Sequence, residues 1–217
     1  MKLKNLVSAV TALSVVAALC ASLSGCGEKK SDKYKVGICQ LAQHDALDAA
    51  TQGFKDALKE KLGDKVTFDE QNAAGEPATC TTIVNQFVSG KVDLIFANAT
   101  GALQAAVSAT DSIPIVGTSI TDYATALEIS DWTGKTGINV TGTSDLAPLE
   151  DQAKMIKELL PNAKTVGILY CSGEANSKYQ ATEVAKYLKE LGIESKEFTS
   201  ADSNDLAQVV TSACAAV

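Results

Sequence analysis

The chain contains no arginine: all of its 19 basic residues are lysines, and its formal net charge is −7. Nucleic-acid binding needs a basic surface that meets phosphate, so we do not expect a nucleic-acid partner. Arginine also binds carboxylates through paired hydrogen bonds. Without it, a carboxylate ligand has to be held by backbone amides and hydroxyl groups.

Histidine is almost as scarce, since the chain has one. That excludes a metal site built on two histidines and leaves one candidate base for a serine triad. No Gly-x-Ser-x-Gly elbow is present, and no Gly-x-Gly-x-x-Gly turn follows the first predicted strand. Gly134-Lys135-Thr136 resembles the end of a phosphate loop, but Ile129 stands where that loop requires glycine. We therefore expect neither enzymatic activity, nor a cofactor, nor a metal.

The N-terminal segment has the features of an export signal. Residues 1–4 are basic, residues 6–19 form an apolar run that is short for a membrane span, and Leu23-Ser24-Gly25-Cys26 matches the lipobox of bacterial lipoproteins. Cys20 competes as the acylation site, but Leu19 stands before it where a small residue is required. The pattern predicts a signal peptide over 1–25 and a polar tether over 26–33. Acylation at Cys26, with palmitate for example, would anchor the protein outside the cytoplasm; an ordinary secretory peptide is the alternative.

Four cysteines remain after this processing, and an even number outside the cytoplasm permits disulfides. Their spacing matches no metal or redox motif. We favour small buried thiols, with disulfide bridges as the alternative. The four are Cys39, Cys80, Cys171 and Cys214.

Short apolar runs alternate with segments of helical periodicity through the first half of the chain. This alternation predicts a parallel sheet with helices on both faces. The first helix extends from Leu47 to Leu62 and ends at Gly63, and the second ends at Gly90. The predicted strands are 34–39, 66–68, 92–97 and 113–116, and the third helix is 103–109.

The pattern then restarts, because Val166–Tyr170 repeats the pattern of Val36–Gln40. A second helix-stopping glycine follows at a similar distance, and Phe198 is placed as the counterpart of Phe68. The helix at 206–216 precedes no strand like the one at 92–96, so we expect a truncated second lobe. The fold class predicted is α/β, with two doubly wound parallel-sheet lobes. The first lobe and the first interlobe crossing occupy 34–145, with the crossing at 137–145, and the partial second lobe occupies 146–217.

Small, hydroxylated or amide-bearing residues follow the carboxyl ends of four predicted strands, where ligands bind in parallel α/β sheets. Each set also contains natural helix caps, so every member is either a cap or a ligand contact. The sets are Gln40, Gln43, His44 and Asp45; Asn98, Thr100 and Gly101; Thr118, Ser119, Thr121 and Asp122; and Ser172, Gly173, Glu174, Asn176 and Ser177.

The chemistry of these residues suits an amino acid. The hydroxyl groups of Thr100, Thr121 and Ser172 can bind a carboxylate together with backbone amides, and Asp122 or Glu174 can meet an ammonium group. The same two acids are the acid and base of the enzyme alternative. Trp132 either stacks on a ligand ring or is an ordinary loop aromatic.

Five stretches carry a family resemblance: QLAQHDALDAATQGF (40–54), FDEQNAAGEPATCTTIVNQFVSGKVDLIFANAT (68–100), IPIVGTSITD (113–122), NVTGTSD (139–145) and ELLPNAKTVGILYCSGEANS (158–177). In these the chain resembles the substrate-binding lipoproteins of ABC importers, of the tryptophan or tyrosine type. The resemblance implies two hinged lobes, a ligand in the interlobe cleft, and closure that signals a membrane permease.

The same resemblance implies cleft-facing positions for Gln40, His44, Thr100, Thr121, Asp122, Ser172, Glu174, Asn176 and Ser177. Gly101 departs from the family pattern, in which proline is common at that position. We predict a monomeric, membrane-anchored protein that binds a small solute, an amino acid, aromatic ones included. The alternatives are a ligand-sensing lipoprotein of the same fold and an extracytoplasmic α/β enzyme.

Overall fold

Residues 33–201 and 204–217 are described by a computed structural model. The predicted signal peptide, the acylation site Cys26 and the tether up to residue 32 lie outside these residues. Strands and helices alternate along the described part of the chain. No helix within that part is both long and apolar enough to cross a bilayer.

The first sheet has five parallel strands in the order β2-β1-β3-β4-β5. Helix α1 packs on one face, and α2 and α3 pack on the other, so this lobe is doubly wound as predicted. The elements are β1 (Tyr34–Gln40), α1 (Asp45–Leu62), β2 (Val66–Asn72), α2 (Pro77–Ser89), β3 (Leu94–Asn98), α3 (Thr100–Ala109), β4 (Ile115–Ile120), the short α4 (Tyr123–Ala126) and β5 (Val140–Ser144).

Strand β1 is buried on both faces because it is central. Val36 and Ile38 point to the face covered by α1, and Cys39 belongs to the core on the face of α2. On the α1 side the rings of Phe54 and Phe96 stack with centroids 3.9 Å apart. Residues that alternate between two covered faces give the continuous apolar run seen in the sequence.

Several boundaries differ from the sequence prediction. Strand β2 extends to Asn72 rather than Phe68, pairing in parallel with β1 along its whole length. Strand β4 covers 115–120 rather than 113–116. Helices α2 and α3 begin at Pro77 and Thr100, earlier than their apolar periodicity indicates. Hydropathy marks the buried residues of an element, whereas backbone hydrogen bonds continue through polar residues at its ends.

Strand β5 was not predicted as a strand, because the segment 137–145 was assigned to the interlobe crossing. It pairs in parallel with β4 and completes the first sheet. Only its first residue, Val140, is buried, so β5 lacks the apolar run by which the other strands are recognised. The glycine pair Gly117 and Gly142 lies directly across this ladder and allows a close backbone approach.

The second sheet contains β6 (Thr165–Cys171) and β7 (Glu194–Ser200), which are parallel. It carries α5 (Leu149–Leu159), α6 (Ala175–Glu190) and α7 (Leu206–Ala216). The small core between α5, α6 and this sheet contains Ala153, Leu188 and Ile193. The predicted repeat of strand, helix, strand and helix is thus present. Among the described residues, β6 has a strand neighbour on one side, whereas β1 has one on each side.

The proposed correspondence of Phe198 with Phe68 is wrong in register. Phe68 pairs with Val36, whose counterpart is Val166, yet Phe198 pairs with Leu169. The segment between helix-stopping glycine and phenylalanine is one residue longer in the second lobe. The ring of Phe198 lies against Gly167, whereas the ring against Gly37 in the first lobe is that of Phe87 from α2.

All four described cysteines are free thiols. Cys39 and Cys80 are buried side by side between β1 and α2, and their mutual hydrogen bond together with burial raises the pKa of the Cys39 thiol. The buried-thiol prediction is therefore confirmed for this pair. It is wrong for Cys214, which is exposed, while Cys171 is half-buried.

Tyr123 gives the first lobe a dependence on alkaline pH. Burial, and secondarily the charge of Asp145, raise the pKa of this phenol from 10.0 to about 12. The folded state therefore favours the neutral phenol, so its contribution is complete below pH 10 and is lost as pH rises to 12. At about 1.4 kcal/mol per pH unit, we expect the free energy of unfolding to fall by at most about 3 kcal/mol.

The measurement is urea unfolding between pH 8 and 12. The decrease should be smaller in Tyr123→Phe than in the native chain, and unchanged in Tyr34→Phe, which alters a tyrosine that is 51% exposed. Equal decreases in Tyr123→Phe and native protein would contradict the assignment.

Candidate functional site

A cavity of about 730 Å³ opens between the helix starts of the two lobes. This is the size of a site for a small organic ligand. The first lobe contributes Leu41, Ala74, Gly75, Glu76, Pro77, Thr81, Thr100, Gly101, Gln104, Ala105 and Ser108, and the second contributes Cys171, Gly173, Glu174, Ala175, Asn176 and Ala201.

Three helices, α2, α3 and α6, begin at this cavity, and in none of them does the cap residue's side chain accept a hydrogen bond from a backbone N–H of the first turn. Their caps are Glu76, Ala99 and Glu174. The first N–H groups of a helix have no partner within the helix, and the helix dipole makes that end attractive to anions. The cavity is therefore lined by donors suited to a carboxylate.

Ala99 makes the start of α3 unusual. Its backbone angles, φ 86° and ψ 158°, lie in a region that residues other than glycine rarely adopt. Its N–H donates to the Thr118 carbonyl of β4 at 3.0 Å, and its carbonyl accepts from Leu103 at 3.1 Å. These bonds hold the strained turn, which places Thr100 and Gly101 on the cavity wall.

Helices that begin away from the cavity include two that are capped by side chains. Nδ1 of His44 accepts from the Ala46 N–H at 3.2 Å at the start of α1. The Asp122 carboxylate accepts from the Thr125 N–H at 2.7 Å at the start of α4. For these two residues the structure shows the capping alternative, and neither lines the cavity.

Gln40, which was expected in the cleft, belongs to a buried polar network instead. Its amide nitrogen donates to Asp48 at 2.5 Å, and its amide oxygen accepts from the Thr51 hydroxyl at 2.7 Å. Asn98 donates to that hydroxyl at 2.9 Å and to the Leu47 carbonyl at 2.8 Å. The network fixes α1 on the ends of β1 and β3.

Of the remaining predicted residues, some line the cavity and others do not. Thr100, Glu174 and Asn176 line the cavity, so the structure leaves them as predicted ligand contacts. Thr121, Ser172 and Ser177 do not line it. Ser172 bonds the Ser200 carbonyl through its backbone, and the Ser177 hydroxyl donates to Glu174 at 2.8 Å.

Glu76 lines the cavity and was missed, because β2 was predicted to end at Phe68, before the turn that carries Glu76. The useful signal was Glu76-Pro77 itself, since proline is favoured in the first helical turn and marks a helix start. Trp132 is 40% exposed and lines a separate cavity of about 420 Å³ beside Tyr123 and β5, not the interlobe cavity.

Within the described residues, no group of three or more His, Cys, Asp or Glu side chains is arranged to hold a metal ion. Nor does the cavity bring a serine or cysteine together with His44. The arrangement combines hydrogen-bond donors, two carboxylates and apolar contact surface. It is equipped to bind a small polar molecule reversibly.

The family model for ABC transporter substrate binding proteins matches residues 35–217. The chain belongs to this family. A curated relative named tyrosine-binding protein, from Clostridioides difficile strain R20291, is 38% identical over 85% of the chain and 55% of its own length. More distant solved structures, including a periplasmic binding protein that is 11% identical, show the same fold.

Two solved structures of family members extend the comparison. An ABC domain from Streptococcus pneumonia in complex with L-Trp is 36% identical, with a TM-score of 0.79, over 85% of this chain and 63% of that one. A ligand-free, open substrate binding protein with adhesive properties from Clostridium difficile is 37% identical, with a TM-score of 0.59, over 82% and 61%. The chain thus spans less than two thirds of the length of these relatives.

Proposed function

We propose that this chain captures an amino acid, an aromatic one in particular, for an ABC importer. The observation that carries the proposal is the interlobe cavity, at which three helices begin without side-chain caps, beside two carboxylates. A free amino acid has both matching charges. The names of the relatives, one for tyrosine and one in complex with L-Trp, favour the aromatic class.

In this proposal the ligand carboxylate meets the start of α3, where Thr100 and Gly101 line the wall and the first turn carries no acidic residue. The ammonium group meets Glu174, and Asn176 contacts either end. Leu41, Pro77 and Ala105 supply apolar surface for the side chain. The site performs no chemistry on the ligand, and release to a permease requires the lobes to separate again.

The match to the L-Trp complex, with a TM-score of 0.79, exceeds that to the ligand-free, open relative, with 0.59, at nearly equal identity and coverage. This difference supports a lobe arrangement nearer to the ligand-bound form. We further propose that the protein acts as a monomer outside the cytoplasm, anchored through acylated Cys26 in the sequence Leu23-Ser24-Gly25-Cys26. The lobes divide between residues 145 and 146.

A cavity-filling variant tests the proposal. Phenylalanine at Gly101 would project beside Leu41, because a Cβ there is 3.4 Å from the Leu41 side chain and meets nothing closer. Calorimetric titration of the purified protein with the twenty L-amino acids should show micromolar binding, about −8 kcal/mol, for at least one. Gly101→Phe should lower the affinity for that amino acid at least about 100-fold. Gly53→Phe, on α1 with open space around it, should bind like the native protein.

In cells that depend on this protein for uptake, Gly101→Phe and Cys26→Ser should both reduce uptake of the same amino acid, the first through the cleft and the second through the anchor. Normal uptake with abolished binding would support the sensing alternative over transport. Turnover of a bound compound would contradict the proposal altogether.

A further inference from the structure

The charged side chains that line the interlobe cavity are all acidic. Its lining contains two carboxylates, Glu76 from the first lobe and Glu174 from the second, and among the described residues that line it there is neither lysine nor histidine. Neither carboxylate belongs to an ion pair of the described residues. Each lobe therefore contributes one negatively charged side chain to the lining of the cavity.

The backbone of Glu76 is fixed although its side chain is unpaired. The preceding turn has positive φ at Ala74 (54°) and Gly75 (88°). The Gly75 N–H donates to the Leu41 carbonyl at 2.8 Å, and the Glu76 N–H donates to the Ala73 carbonyl at 3.0 Å. These bonds tie the start of α2 to the end of β1, so the backbone that carries the exposed Glu76 side chain is held in place.

Glu174 is held by two hydrogen bonds within the second lobe. Its carboxylate accepts from the Ser177 hydroxyl at 2.8 Å, and its N–H donates to the Cys171 carbonyl at 3.3 Å. The Ser177 bond fixes the side-chain direction but leaves the charge uncompensated. Ser177 was predicted as a ligand contact, but its hydroxyl is instead placed to orient the Glu174 carboxylate.

Like charges repel more strongly as they approach and as water is excluded between them. A cationic group bound in this cavity would compensate the charges of Glu76 and Glu174, neither of which belongs to an ion pair of the described residues. A ligand without a protonated amine brings no compensating charge. In the proposed site the ligand carboxylate lies at the start of α3, whose first turn carries no acidic residue.

We propose that Glu76 and Glu174 form a split carboxylate pair that makes a protonated amine on the ligand a requirement for tight binding, with Glu76 as a specificity-determining residue. This inference rests on the proposed function and specifies the ligand class of that site. Each acid acts on the amine from its own lobe, so removing either should weaken amine recognition without closing the site to other ligands.

The test is calorimetric titration of the tightest-binding L-amino acid and of the same compound without its α-amino group. For L-tryptophan this second compound is indole-3-propionate. The native protein should bind the amino acid about 100-fold tighter or more. Hydrogen bonds to charged groups contribute enough for Glu76→Gln and Glu174→Gln each to lower amino-acid affinity by about 10- to 100-fold. Both should leave the affinity for the des-amino compound unchanged or increased.

Matched controls remove the same charge elsewhere. Glu60→Gln on α1 and Glu158→Gln on α5 alter exposed acids that do not line the cavity, and they should preserve the affinity ratio of the native protein. Circular dichroism verifies that the variants are folded. An unchanged ratio in Glu76→Gln and Glu174→Gln, or equal native affinity for both compounds, overturns the inference and leaves the proposed function standing. Absence of binding by all twenty amino acids overturns the proposed function and this inference together.

Discussion

Replacing Gly142 by alanine is expected to destabilise the protein by about 3 kcal/mol or more. A Cβ at this position would overlap the Gly117 carbonyl oxygen and the Tyr123 hydroxyl, both well inside van der Waals contact. The Gly117 oxygen belongs to the backbone of β4 and cannot move without disturbing the sheet. Relief is possible only if β5 separates from β4.

Gly53→Ala is the matched control, since a Cβ at Gly53, inside α1, meets nothing within 4 Å. Alanine is favoured over glycine inside a helix, so this variant should be as stable as the native chain or more stable by up to about 1 kcal/mol. Urea unfolding at neutral pH measures both variants. A Gly142→Ala protein within about 0.5 kcal/mol of the native value would refute the close approach of β4 and β5.

Asn98→Ala is expected to cost about 3 kcal/mol. The side chain is fully buried and donates to the Leu47 carbonyl and the Thr51 hydroxyl. Alanine removes both bonds and leaves a small cavity, and each unmet buried polar group adds about 1–3 kcal/mol. Thr51 also donates to Gln40, so the loss extends through the network to the end of β1.

Two further variants distinguish the stability lost through this network from the stability lost when any side-chain amide is removed. Thr51→Val keeps the shape of the side chain but removes the shared hydroxyl, and should cost about 2 kcal/mol. Asn162→Ala alters an exposed asparagine and should change stability by less than about 0.5 kcal/mol. If Asn98→Ala and Asn162→Ala have equal unfolding free energies, the network does not hold α1 to the sheet.

The first lobe shows which elements hydropathy can predict and which it cannot. Both faces of β1 are covered, so its apolar run was visible in the sequence, and the helices ending at Gly63 and Gly90 were placed correctly at their carboxyl ends. Strand β5 was missed because only Val140 is buried and its pairing with β4 depends on backbone groups that every residue possesses.

The assignment of ligand-contact residues remains a prediction. Thr100, Glu174 and Asn176 line the cavity, but their chemical types did not distinguish them from His44 and Asp122, which cap helices. A residue that precedes a helix can turn its side chain onto the first N–H groups or away from them. The choice depends on the backbone angles of that turn and on what lies opposite, and a single sequence contains neither.

The sequence by itself determined the α/β class, the repeat of the strand–helix unit and the lack of a basic or histidine-rich site, because these follow from periodicity and composition. Tertiary structure alone decided which helix starts share one cavity, that Gln40 is used internally, and that Glu76 joins Glu174 there. Residues nearly 100 positions apart come together through sheet order and lobe placement. The physical reason is that a ligand site is a property of spatial neighbours, whereas periodicity reports only on neighbours along the chain.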